Sequence, residues 1–137
     1  MAMGLKNAGQ IVSKVIDDVQ FSVQEQCASQ KDCKNFMPFI NKNKPVFHIE
    51  YPKNKTNDNT TISDVKPWCE FSKEENNTQY NIENFSTVVK NLNLDGWVEY
   101  CDNSTAITEL TDPPVAKRVT DLSDQELDTS TIPEDIE

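Results

Sequence analysis

The sequence predicts an α/β fold with parallel strands in one small domain. Segments whose side chains alternate like those of strands are separated by segments of helical periodicity, which is typical of parallel strands joined by crossovers. The folded part is expected to span residues 1–101, because all Cys, Trp, Phe and Tyr residues lie there. Residues 102–137 are rich in Asp and Glu and contain no aromatic residue, so we expect an acidic, disordered tail.

The first half of the chain predicts three strands and two helices. A short strand ends near Lys6, and a stripe of Ile and Val residues then predicts an amphipathic helix over 8–19. The alternating segment FSVQEQC predicts a strand that ends at Glu25. A short helix near Pro38 follows, and PVFHIEY predicts a strand that ends at Glu50.

The second half predicts a long loop, a helix and a last strand. Residues 52–84 are mostly polar and predict a loop with one helical turn. Phe85, Val88, Val89 and Leu92 recur at helical spacing and predict a helix. The segment LDGWVEY then predicts a fourth parallel strand that ends at Cys101.

Composition and charge exclude two classes of partner. The 137 residues contain no run of about 18 apolar residues, so no membrane partner is expected. The net charge of −10 argues against nucleic acid, because phosphate neutralisation needs clustered Lys and Arg. A cationic partner suits this charge better.

The cysteines and glycosylation motifs indicate a secreted protein. Three states are open to Cys27, Cys33, Cys69 and Cys101: free thiols, zinc ligands or two disulfides. Zinc is disfavoured, because the spacing has no C-x2-C pair and His48 is the only His. We therefore expect no metal and no cofactor. N-x-[ST] acceptors occur at Asn54, Asn59, Asn76, Asn84 and Asn103. The start MAMGLKNAGQ does not resemble a signal peptide, so we expect a truncated copy of an extracellular parent.

Polar side chains follow each predicted strand. Loops at the carboxyl ends of parallel strands converge at one edge of the sheet, where chemistry collects. The residues there are Lys6, Asn7, Glu25, Gln26, His48, Glu50 and Glu99. Two carboxylates that flank a bond are the minimal equipment for glycoside hydrolysis, since one protonates the leaving oxygen and the other attacks or activates water.

The segments GLKNA, FSVQEQC-x5-C, KPVFHIEY and NLNLDGW resemble, in order and separation, the C-terminal half of glycoside hydrolase family 114. These are endo-α-1,4-polygalactosaminidase-like enzymes with a (β/α)8 TIM barrel. The resemblance implies that this chain carries about four βα units of the barrel, since a complete barrel needs roughly 250 residues.

The resemblance also implies a site. Its catalytic Glu matches Glu25, as general acid/base, while the second catalytic carboxylate, an Asp on the fourth strand, has no counterpart in this chain. The implied substrate is a cationic galactosamine polymer, which Glu25 and Glu50 in one cleft would attract. Lys6, Asn7, His48 and Glu50 are the expected substrate-binding residues.

Several of these residues have structural alternatives. Glu25 could cap a helix, and His48 could be an interior residue on the face of Val46. Trp68 and Trp97 could stack on sugars, although Trp97 lies within a strand and is better explained as core. If disulfides form, three pairings are open, one of which joins Cys27 to Cys33 and Cys69 to Cys101.

Two other functions compete with hydrolysis. The chain could be a non-catalytic half barrel that binds polysaccharide, with a homodimer covering its open sheet edge. It could also be an unrelated small secreted interaction protein held together by disulfides. We expect a half barrel to associate, because its apolar inner face would otherwise be exposed.

Overall fold

The computed structural model of the chain describes residues 1–109, and the rest of the predicted acidic tail lies outside these residues. The described strands are β1 Gly4–Lys6, β2 Phe21–Glu25, β3 Val46–Glu50, β4 Phe71–Lys73, β5 Gln79–Asn81, β6 Ser86–Val89, β7 Trp97–Tyr100 and β8 Thr105–Ile107. The α-helices are α1 Val12–Val15, α2 Cys27–Gln30, α3 Met37–Asn41 and α4 Lys66–Cys69, with 3₁₀ turns at Gly9–Ile11 and Cys33–Phe36. No described helix is long and apolar enough to cross a membrane.

Six strands form one mixed sheet in the order β1-β2-β3-β6-β7-β8. The first four are parallel, whereas β7 and β8 are added antiparallel. Strands β4 and β5 form a separate antiparallel hairpin. The mixed α/β architecture with a parallel sheet agrees with the predicted fold class, and the predicted strands of FSVQEQC and PVFHIEY are confirmed.

One face of the sheet is covered by the short helices. Val12, Ile16 and Val19 are buried there, as the predicted helical stripe requires, although α1 itself is only one turn long. Phe36 and Phe39 fill the centre of this core, and Pro38 lies in the first turn of α3, where it costs no hydrogen bond. The helix-covered face is therefore the core side of the sheet.

The prediction of a helix over 85–92 is wrong, because this segment contains β6. The apolar spacing is helical, but the β-branched run Thr87, Val88, Val89 favours a strand. Only residues 90–96 separate β6 from β7, which is too short for a parallel crossover, so the last predicted strand is antiparallel. Within residues 1–109 four strands are parallel, but β6 and not the Trp97 strand is the fourth.

The remaining differences lie outside the central strands. The polar stretch 52–84 contains the predicted helical turn, α4, but also the hairpin β4–β5, which its composition did not indicate. At the C-terminal end the sheet extends beyond Cys101, where the fold was expected to end, because β8 pairs with β7.

Candidate active site

Glu25 lies at the carboxyl end of β2, and both of its carboxylate oxygens accept hydrogen bonds. Lys6 Nζ lies 2.6 Å from Oε2, and the hydroxyl of Tyr51 donates to Oε1 at 2.6 Å. These contacts follow from the sheet register, because Lys6 is paired with Val23, two residues before Glu25 on the same face. Three neighbouring parallel strand ends thus meet at this carboxylate.

The surroundings keep Glu25 ionised. The Lys6 ammonium, and then the Tyr51 hydroxyl, lower the pKa of Glu25 below its ordinary value. Asn7 fixes the backbone at the same point, since its Oδ1 accepts from the amide of Glu25 at 3.0 Å. The structure therefore brings the predicted residues Lys6 and Asn7 to Glu25.

Tyr51 contacts Glu25 although the sequence patterns did not single it out. It is almost fully buried, and burial followed by the hydrogen bond to Glu25 raises its pKa above the ordinary value for tyrosine. Alternation in KPVFHIEY places Tyr51 on the face of Ile49, but only the register, which pairs Ile49 with Glu25, brings Tyr51 to the carboxylate.

A cavity of about 180 Å³ opens beside Glu25. Its polar lining is rich in hydrogen-bond acceptors and comprises Asn7, Gln10, Gln24, Glu25, Gln26, Gln30 and Asp32. The buried Oε1 of Gln24 and Oδ1 of Asp32 have no partner among the described residues. Burial, and then the nearby charges of Glu74 and Glu50, raise the pKa of Asp32 above its ordinary value. The cavity therefore has an ionised carboxylate in its lining, and the two unpaired acceptor atoms are buried within its wall.

The structure does not place His48 and Glu50 in this cavity. Both side chains are fully buried on the helix-covered face with Val46, whereas Glu25 is on the opposite face. The expectation that Glu25 and Glu50 share one cleft is corrected by this alternation, since residues 48 and 50 are out of phase with Ile49, the partner of Glu25.

Glu50 is instead the centre of a buried hydrogen-bond network. Its Oε1 accepts from the amide of Ala28 at 2.8 Å and from Nε2 of His48 at 2.7 Å, and its Oε2 accepts from the hydroxyl of Ser29 at 2.6 Å. The other ring nitrogen of His48 lies 3.0 Å from Oγ1 of Thr87. The interior alternative for His48 agrees with this arrangement.

Glu99 and Trp97 are also used inside the fold. Glu99 is buried and accepts from the amide of Ile62 and the side-chain amide of Asn103, so it holds the long loop against β7. Trp97 is 2% exposed and lies under the ammonium of Lys53, 3.8 Å from the ring centroid, as expected for a core residue.

The four cysteines form two disulfides, Cys27–Cys33 and Cys69–Cys101. This is one of the three pairings left open by the sequence. His48 lies beside the first disulfide, with Nε2 3.4 Å from Sγ of Cys27. Because both sulfurs are bonded to each other, this group of two Cys and one His offers no pair of thiolates to a metal ion.

Comparison with known proteins identifies the family. The sequence model of glycoside-hydrolase family GH114 matches residues 1–106, which include every strand of the main sheet up to β8. The chain belongs to family GH114. This confirms the resemblance drawn from the motifs around Glu25 and Glu50.

One solved structure of a GH114 relative can be compared directly. The crystal structure of Aspergillus fumigatus Ega3 in complex with galactosamine is 46% identical in sequence, with a TM-score of 0.63. The match covers 74% of this chain and 38% of the Ega3 chain, so this chain spans well under half of that neighbour. No curated protein matches the chain.

Proposed function

We propose that this chain carries part of the active site of a GH114 glycoside hydrolase that cleaves α-1,4-linked galactosamine polymers, built as half of a (β/α)8 barrel. The observation that supports it is the placement of Glu25. This residue lies at the carboxyl end of a parallel strand, beside a cavity and on the face opposite the helix-covered core. Family membership and the galactosamine complex of Ega3 point to the same chemistry.

In this proposal Glu25 acts as the general acid/base. Its ionised resting state suits the acceptance of a proton, while donation requires that Lys6 first moves away. The Lys6 side chain is 52% exposed, so it is free to move away from the carboxylate. Hydrolysis also needs a second carboxylate, which the rest of the barrel would supply.

The proposed substrate is cationic because the cavity beside Glu25 is rich in acceptors. An amino sugar offers an ammonium group and several hydroxyl donors, which match the carboxylate of Glu25 and the amide oxygens of the exposed lining residues Gln10 and Gln30. Asn7 would then contact both Glu25 and the sugar, and Lys6, once displaced from Glu25, would contact the sugar. The net charge of −10 adds a weak, salt-sensitive attraction.

A chimera tests the proposal. The chain is joined to the part of Ega3 that lies outside the matched region, and release of reducing ends from galactosamine oligosaccharides is measured. We expect Glu25→Gln to lower the rate by roughly 10²–10⁴-fold, the usual contribution of a general acid/base. Glu83→Gln is the matched control, because Glu83 is exposed in the connection before β6.

Two results would contradict the proposal. A Glu25→Gln chimera that keeps its rate excludes Glu25 from the chemistry. A folded chimera that binds the oligosaccharide without cleaving it favours the second candidate, a non-catalytic polysaccharide-binding half barrel. The occupation of both Glu25 oxygens by Lys6 and Tyr51 is the observation that favours this second candidate.

We further propose an extracellular, N-glycosylated parent. Both disulfides suit an oxidising compartment, and all five acceptor asparagines have exposed side chains. Expression in a secreting, glycosylating host should yield a chain whose mass falls after treatment with peptide-N-glycosidase. An unchanged mass would contradict this part of the proposal.

A further inference from the structure

A second cavity, of about 300 Å³, lies between α2 and the segment that contains α4 and β4. We call it the Trp68 cavity, and it is lined by Ala28, Lys31, Pro67, Trp68, Phe71 and Lys73. Glu25 is not among these residues. The cavity has an apolar floor with two ammonium groups, which is the usual composition of a small-molecule site.

The apolar part of the Trp68 cavity is suited to a sugar ring. Trp68 and Phe71 are both half-buried and therefore present part of their rings, and Pro67 extends the same surface. A flat aromatic surface packs against the apolar face of a pyranose with little loss of side-chain entropy.

The charges of the Trp68 cavity favour an anion. Neither Lys31 nor Lys73 lies within 4.0 Å of a carboxylate among residues 1–109, whereas Lys6, Lys34 and Lys42 are paired. Two ammonium groups of an acidic protein are thus left at one aromatic cavity. They would repel a galactosamine ammonium and attract a carboxylate.

Both walls of the Trp68 cavity are held by disulfides. Ala28 and Lys31 lie inside the loop closed by Cys27–Cys33, and Lys31 adopts a left-handed φ of 59° that a lysine rarely takes. On the other wall Trp68 precedes Cys69, which is bonded to Cys101. A cavity whose walls are fixed before binding loses less entropy when a ligand enters.

We infer that the Trp68 cavity binds a pyranose that carries a carboxylate, as a uronic acid residue of an acidic polysaccharide does. The sugar ring packs on Trp68 and Phe71, and the carboxylate lies between Lys31 and Lys73. This site is separate from the proposed hydrolytic site and does not depend on it.

Titration of the full chain with trigalacturonic acid tests the inference, with affinity measured by calorimetry. A change in tryptophan fluorescence is expected from Trp68, because the only other tryptophan, Trp97, is buried. Galactotriose should bind more weakly, and the galactosamine trisaccharide should not compete for this cavity. Reduction of the disulfides should weaken binding, since it frees both walls.

Variants separate the contributions of ring and charge. The double variant Lys31→Gln, Lys73→Gln should bind trigalacturonic acid roughly fivefold more weakly, which is the effect of losing two exposed ion pairs. Trp68→Ala should weaken it about tenfold. Lys14→Gln, which removes an exposed charge on α1, is the matched control and should bind like the parent chain.

The inference is overturned by any of three results. The first is that trigalacturonic acid does not bind at millimolar concentration. The second is that galactotriose and trigalacturonic acid bind with equal affinity. The third is that the Lys14→Gln control loses as much affinity as the cavity variants do. The lysine variants change only exposed side chains, so their folding is not at risk. A Glu25→Gln chain should keep this binding, which distinguishes the Trp68 cavity from the proposed hydrolytic site.

Discussion

Replacement of Glu50 by Gln should lower the stability of the fold far more than it weakens the binding of a galactosamine oligosaccharide. Glu50 is 0% exposed and accepts three hydrogen bonds, from Ala28, Ser29 and His48. Gln keeps one acceptor oxygen and places an NH2 group, which cannot accept, where Glu50 has the other, so at least one of these bonds is lost. A buried polar group left without a partner costs about 1–3 kcal/mol, and because this site is fully buried the free energy of unfolding should fall by about 3 kcal/mol.

Urea unfolding followed by circular dichroism measures this loss. With a slope of about 2 kcal/mol per molar urea, the midpoint should fall by about 1.5 M. Glu25→Gln is a matched control, because the same substitution on the opposite face removes only a half-exposed ion pair with Lys6. Such pairs contribute about 0–1 kcal/mol, so the midpoint of the control should move by less than about 0.5 M.

One pattern of results would refute this reasoning. If Glu50→Gln unfolds at the parent midpoint but no longer binds a galactosamine oligosaccharide, Glu50 contacts the sugar and the buried network is not its role. Ser29→Ala gives a graded check, since it removes one of the three bonds and should cost about 1–2 kcal/mol.

Three further changes have defined outcomes. Tyr51→Phe removes a donor from Glu25 and should raise the pKa of Glu25, measured by carbon-13 NMR of the carboxyl; an unchanged pKa would mean that Lys6 alone lowers it. Asp32→Asn should stabilise the fold at pH 7, because burial raises the folded-state pKa of Asp32 and its ionisation therefore costs stability as the pH rises. In urea unfolding, the gain in stability should disappear as the pH falls below the ordinary pKa of 3.8. A gain that is the same at every pH would exclude the ionisation of Asp32 as its cause. Phe47, 44% exposed on the face of Glu25, should support self-association, so Phe47→Lys should raise the monomer fraction in sedimentation, and equal association would exclude that face.

The sequence predicted the central strands well because their patterns are local. Alternation in FSVQEQC and PVFHIEY is enough to place Glu25 and Glu50 at strand ends. It does not say which residue of β2 faces which residue of β3, and that register decides that Glu25 and Glu50 lie on opposite faces. The same missing register hid Tyr51 as a partner of Glu25.

The wrong helix over 85–92 has a different cause. Its apolar residues follow helical spacing, and this pattern was overridden by the tertiary pairing of Val88 and Val89 with β3. The hairpin β4–β5 lies in a polar segment where periodicity carries little information. In each case a contact distant in sequence overrides a weak local preference.

The two faces of the strand pair β2–β3 have different roles, and residues on the buried face position the turn that follows Glu25. Helix α2 begins directly after Gln26, which has a left-handed backbone and no side-chain cap of its own. Glu50 supplies the missing acceptor from the neighbouring strand, since it binds the amide of Ala28. The turn that follows Glu25 is therefore held by a carboxylate on the opposite side of the sheet. A weakened Glu50 network should loosen this turn and, with it, the contacts of Glu25 with Lys6 and Tyr51, although Glu50 does not line the cavity.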